Sequence, residues 1–166
     1  MTRSDPTGRR RVLASLGTGL TAAAAGCVGS DGLGGQPTYE EGRVTVSNAT
    51  SRNATQMSTA AALAQQQPTN SVTPLDPLEL RTHEFVVEDG YLGSTIQGTV
   101  ANTGADRLQF VEVRTRVYDD AGTLLGRYLA STGDLDGDSA WAFQVIVLES
   151  PSNIAGYDIT VLGTPS

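Results

Sequence analysis

Lysine is missing altogether: the 166-residue chain carries 11 basic residues, every one an arginine, against 18 aspartates and glutamates, for a formal net charge of −7. No basic patch is expected from this balance to neutralise phosphates, which disfavours nucleic acid as a partner. Acidity with arginine as the sole cation suits a surface kept soluble in very high salt, and points to a halophilic archaeal source. Cysteine occurs once, at Cys27, so an internal disulfide and a thiolate metal cluster are both excluded. The lone histidine, His83, cannot build a transition-metal site without carboxylate help, and is expected on the surface. No Gly-x-Ser-x-Gly elbow is present, and the glycine-rich stretch at 29–35 lacks the Lys-Ser/Thr ending of a phosphate loop. Nothing in the sequence signals an enzyme, and no cofactor is expected.

What is present begins with an export signal. Residues 1–26 combine a basic start, an uncharged run over 12–25 and small residues ahead of Cys27. That run is too short for a membrane span, which takes about 20 apolar residues. Arg9 and Arg10, followed by Arg11, Val12 and Leu13, resemble a twin-arginine motif, and the glycines and threonines that dilute the run suit export of a folded protein. Ala24-Ala25-Gly26-Cys27 resembles a lipobox, with alanine where leucine is preferred. Cleavage there would make Cys27 the first residue and its lipidation site, and two acyl-type chains suffice for stable anchoring. Loss of Arg3, Arg9, Arg10 and Arg11 with Asp5 removes a net +3, leaving −10 on the mature chain. The expected address is the outer face of the cytoplasmic membrane, lipid-anchored.

Residues 27–77 are poor in large apolar side chains and hold a glycine-rich start, a Gln65-Gln66-Gln67-Pro68 tract and Pro74 and Pro77. Such a segment buries too little apolar area to offset its ordering entropy, so a disordered tether is predicted. At about 50 residues its reach is on the order of 40 Å. A transient helix over 57–67 and a short strand over 43–46 are the only elements expected within it. Asn48-Ala49-Thr50 and Asn53-Ala54-Thr55 are sequons for N-glycosylation at Asn48 and Asn53 in an exported chain.

The folded domain is expected over 78–163. Val111, Val113, Thr115 and Val117 alternate with Glu112, Arg114 and Arg116, the period-two pattern of a half-buried strand. Turn formers flank it, at 102–106 and in Asp119-Asp120-Ala121-Gly122. Further strands are expected at 84–88, at 92–100 with Gly93 and Gly98 marking a bulge or close packing, and at 123–130. At 140–148 both faces are apolar, predicting a strand buried on both sides or covered by the tether, with Trp141 as core anchor. Tyr157, Ile159 and Val161 alternate inward in the last strand. Short strands with no helical period between them predict an all-β fold, a small antiparallel immunoglobulin-like β-sandwich behind the disordered tether, with a small barrel as the alternative.

Ile96-Gln97-Gly98-Thr99-Val100-Ala101-Asn102, the strand from Val111 to Tyr118-Asp119, Gly122, and Leu135-Asp136-Gly137-Asp138 leading to Trp141 and Phe143 together resemble the FxLYD-domain family of prokaryotic surface lipoproteins. Thr115 and Val117 stand where that family has phenylalanine and leucine, while Tyr118 and Asp119 match. The resemblance implies a secreted or anchored β-sandwich module and no ligand.

Asp134, Asp136 and Asp138 are the weak metal candidates, three carboxylates within five residues. Ser139 and Val145 occupy the positions where an EF-hand needs glycine and glutamate, so the cluster is expected to be an acidic turn, with Gly137 taking a positive φ. The pairs Glu88-Asp89 and Asp119-Asp120 put neighbours on opposite strand faces and form no shared-proton dyad. The functional expectation is a non-catalytic, membrane-anchored module that presents a binding surface to an envelope protein or glycan, with the loops at 102–107, 119–122 and 131–138 as contact sites. The alternative is a Ca²⁺-stabilised or metal-dependent extracellular enzyme using the Asp134/Asp136/Asp138 turn.

Overall fold

A computed structural model describes residues 35–45 and 49–166. Seven strands and one helix follow in the order β1 (Glu40–Arg43), α1 (Ala54–Leu63), β2 (Leu78–Val87), β3 (Ser94–Asn102), β4 (Leu108–Tyr118), β5 (Leu124–Leu135), β6 (Ala140–Ile146) and β7 (Gly156–Pro165). They form two antiparallel sheets, one ordered β1-β7-β4-β5 and the other β2-β3-β6. The expected all-β sandwich is therefore what the chain forms, and the sheets are open rather than closed into a barrel. Strands β2 to β7 pair as A, B, C, C′, E and F do in immunoglobulin-type sandwiches, while β1 from the N-terminal side holds the edge beside β7 where such folds place their last strand.

The core follows from the period-two patterns. Val111, Val113, Thr115 and Val117 of β4 point between the sheets and are fully buried with Ile96 and Val100 of β3, Phe143 and Val145 of β6, and Tyr157 and Ile159 of β7. The turn after β4 uses its residues as expected: the Asp119 carboxylate accepts from the amides of Ala121 (3.0 Å) and Thr123 (2.7 Å), and Gly122 has φ +78°. Gly98 lies opposite the β2 bulge, where any Cβ would strike the Thr82 carbonyl and the Phe143 ring.

The sandwich corrects the predicted tether. From residue 35 on, much of that segment is laid onto the domain. Glu40–Arg43 pairs with β7, three residues earlier than the expected strand. Helix α1 is begun by a capping box, in which Asn53 accepts from the Gln56 amide and Gln56 accepts from the Asn53 amide, both at 2.9 Å. The Arg52 guanidinium fixes the helix start to the sandwich by donating to the carbonyls of Tyr91 and Val147 at 2.8 Å, of Ser94 at 3.2 Å, and of Leu92. Beyond α1, residues 64–73 form a strap over the outer face of the four-stranded sheet. Thr73 exchanges two backbone hydrogen bonds with Gly163, Thr164 donates to the Ser71 carbonyl, and Val72 is buried. Backbone pairing and side-chain anchors supply what the low apolar content does not.

Three further expectations are corrected. Strand β6 is an edge strand with one buried face: Phe143, Val145 and the following Val147 are inside, whereas Ala142 and Gln144 are exposed. Trp141 is half-buried at the margin of the core, tilted against Phe143 with ring centroids 6.0 Å apart, and the largest fully buried side chains are Ile96, Ile159 and Leu162. His83 is not a surface residue. Its Nδ1 shares a 2.8 Å hydrogen bond with the Tyr157 hydroxyl, joining the two sheets, and its Nε2 lies 3.7 Å from Glu40. Among the described residues no helix is long and apolar enough to cross a membrane.

A candidate anion-binding cleft under the strap

The outward face of β4 carries Glu112, Arg114 and Arg116, and the strap makes it something other than a solvated charge stripe. Glu112 has 0% exposure. Its carboxylate accepts from the Thr69 amide (3.1 Å) and from Arg114 Nε, while Arg114 Nη2 returns a 2.7 Å bond to the Thr69 carbonyl. A buried carboxylate demands such partners, because stripping it of water without them is prohibitive. The lock pins the strap at its middle.

Next along β4, Arg116 makes a two-pronged contact with Asp158 of β7, Nε to Oδ1 at 2.8 Å and Nη2 to Oδ2 at 2.7 Å. Its guanidinium carbon lies 3.8 Å from the centroid of the Tyr39 ring, a cation–π contact. Donation to the Asp158 carboxylate raises the pKa of Arg116 above the ordinary guanidinium value. Tyr118 donates to the same carboxylate at 3.1 Å, and its phenol is pushed up by burial first and by that bond second. Register places Glu41, Asp158, Arg116 and Arg127 side by side in one row across β1, β7, β4 and β5. Arg127, at the β5 end, is exposed and has no carboxylate within salt-bridge distance among the described residues.

Tyr39, Ala64, Gln66 and Pro68 rise above this row and, with Arg114, Arg116, Arg127 and Leu129, enclose a cleft of about 270 Å³. Three of the seven arginines beyond residue 34 thus meet in one concavity of an acidic chain. Its chemistry is that of anion recognition: guanidinium donors, an aromatic ring and a small apolar floor. A wider depression of about 450 Å³ between Asp119, Asp120, Leu125 and residues 152–155 has no cation in its lining.

No family model matches the chain, and no solved structure matches it. Over 87 residues it is 32% identical to the uncharacterized protein MJ0360 of Methanocaldococcus jannaschii, an alignment covering 51% of this chain and 64% of that protein. The chain therefore spans less than two thirds of that relative's length.

Of the residues singled out from sequence, Arg9, Arg10, Cys27 and Asn48 lie outside the described residues. Asn53 is exposed and serves as the N-cap of α1, its side-chain carbonyl oxygen accepting from the Gln56 amide. Asp134, Asp136 and Asp138 are not brought together. Asp134 closes β5 and pairs with Arg107, the Asp136 carbonyl accepts from Asn102 at 3.1 Å, and the Asp138 amide donates to Gly104. Among the described residues no three His, Cys, Asp or Glu side chains are grouped to hold a metal. The positive φ angles of this turn fall on Asp134 (+53°) and Asp138 (+56°), not on Gly137 as expected. Gly137 is required for space instead, since a Cβ there would strike the Ala105 carbonyl. Of the three loops expected as contact sites, the first is locked from within by Asn102, whose amide donates to the carbonyls of Asp106, Leu135 and Asp136. The second is the Asp119 turn, and most of the third, as far as Leu135, belongs to β5.

Sequence reasoning passed over Tyr39, Gln66 and Arg127 and left Arg114 and Arg116 as outward charges. One signal was available. Folding the β4–β5 hairpin about its Asp119–Gly122 turn brings Arg116 opposite Arg127, though the bulge between Val117 and Tyr118 shifts the count by one.

Proposed function

We propose that this chain is a non-catalytic binding module, exported through its Arg9-Arg10 signal and held by lipid on Cys27 at the outer face of the cytoplasmic membrane, where it engages an envelope protein or glycan. The observation that carries the binding role is the cleft: an acidic chain concentrates Arg114, Arg116 and Arg127 around one concavity and, among the described residues, gives Arg127 no carboxylate. The tripartite leader and the Ala-Ala-Gly-Cys junction support the address, and the likeness to FxLYD-type surface lipoproteins agrees with it.

Mass spectrometry of the mature protein tests the address: an intact Met1 with unmodified Cys27 would refute it, and Cys27→Ser is expected to release protein or leave an uncut precursor. The binding role is tested on intact cells by crosslinking from a photoreactive residue at Gln66, with Arg127→Glu as control. A specific crosslinked species lost in the control is expected. Recovery of nothing above background, from this position or from one in the Asp119 turn, would count against a binding module.

A further inference from the structure

Arg116 and Arg127 stand directly opposite each other across β4 and β5. Like charges in that arrangement lower stability unless an anion lies between them. Asp158 satisfies Arg116 from the β7 side through Nε and Nη2, which leaves Nη1 of Arg116 and the whole fork of Arg127 as donors. The remaining walls of the cleft include a half-buried aromatic ring, Tyr39, the apolar Leu129 and Pro68, the neutral amide of Gln66, and Arg114, which is already engaged by Glu112 and the Thr69 carbonyl.

We propose that the cleft binds a carboxylated sugar, with its carboxylate between Arg127 and Arg116 and its ring between Tyr39, Pro68 and Leu129; this rests on the binding-module reading. A guanidinium fork matches a carboxylate in two parallel hydrogen bonds. The flat C–H face of a pyranose suits an aromatic and apolar surface, and its hydroxyls suit the Gln66 amide. At about 270 Å³ the space lies just below the usual range of ligand pockets, roughly 300–1,000 Å³, which suits one ring with further units leaving toward solvent. An acidic peptide fits less well, because it would bring a backbone donor and acceptor with every residue and Gln66 is the one neutral amide side chain in the lining.

The test is titration of the full chain, at constant ionic strength, with glucuronate, an oligomer of glucuronate, glucose, acetate and a short glutamate peptide, followed by NMR at the Arg127 side chain and at the amides of Leu129 and Gln66. Glucuronate is expected to shift these signals with a dissociation constant on the order of 1 mM, acetate to bind about tenfold more weakly, and glucose to leave them unmoved. Tighter binding of the oligomer than of the monomer identifies a glycan end as the source, and equal binding a free sugar acid. Arg127→Gln is expected to remove the response and, by relieving the like-charge pair, to leave the melting midpoint of the free protein no lower than the parent's. Acetate matching glucuronate, the peptide acting where glucuronate is silent, or no response at all would overturn the proposal. In each of those cases a crosslink from Gln66 on intact cells would still leave the binding-module reading standing, whereas loss of every crosslink would remove that reading as well.

Discussion

Replacing Arg114 by methionine keeps most of the side chain's packing and deletes the cation that faces the buried Glu112. The carboxylate would then keep a single donor, the Thr69 amide at 3.1 Å, in a site with no exposure. Removing one partner of a buried ion pair costs about 3–5 kcal/mol, because the survivor stays desolvated and uncompensated. Arg114 is 26% exposed and the strap can lift to admit water, so the expected loss is about 2–4 kcal/mol. The upper limit is the free energy of detaching the strap, which would expose Val72 and the outward face of Leu162. The assay is urea unfolding at constant molar salt, combined with hydrogen exchange at Thr69, Thr73 and Gly163. Faster exchange at all three is expected in Arg114→Met. The double variant Glu112→Leu/Arg114→Met removes both charges and is expected to recover to within about 1 kcal/mol of the parent. A loss below about 1 kcal/mol in Arg114→Met with Thr69 still protected would refute the claim that this lock holds the strap.

Arg52→Met deletes a guanidinium that donates to four backbone carbonyls, and is expected to cost about 2–3 kcal/mol and to fray α1, read as loss of helical circular dichroism before the β signal. Burial also lowers the Arg52 pKa, yet a guanidinium stays charged through the accessible range. Trp141→Ala is expected to cost about 2 kcal/mol, below the 3–5 typical of a fully buried aromatic, because the indole is only half-buried; a loss above about 4 in urea unfolding would show that it anchors the core after all. Burial and then Glu84 raise the Tyr157 phenol to about 12. The unfolded chain ionises near pH 10 while the fold keeps its proton, so this stability is fully present below about pH 10 and is lost as pH rises through about 12, by about 1–2 kcal/mol. Tyr157→Phe is expected to flatten that alkaline loss in melts between pH 9 and pH 12, and an unchanged slope would reject it.

Alternation within single strands and the turn chemistry at Asp119–Gly122 were enough to predict a β-sandwich and to place its central strand. They work because a pleat has a period of two and a tight turn tolerates few residues, both consequences of local geometry. The leader and its lipobox-like junction are likewise read as linear motifs. What sequence did not disclose is which outward face would be covered. Glu112, Arg114 and Arg116 alternate as a solvated stripe does, and only the strap, held 43 residues away in the chain at Thr69, turns one of them into a buried carboxylate. Period two separates the faces of a strand without saying which is buried, so the two apolar faces of β6 predict a strand buried on both sides or covered by the tether, whereas the sheet order puts it at an edge with one face exposed. The cleft is further still from local pattern. It joins Tyr39 before β1, Gln66 after α1, Arg116 on β4 and Arg127 on β5, and these meet only because β1 enters beside β7 and the strap crosses back over the sheet. Pairing across the sheet, not propensity along it, placed two arginines face to face, with the Asp158 carboxylate on the far side of one of them.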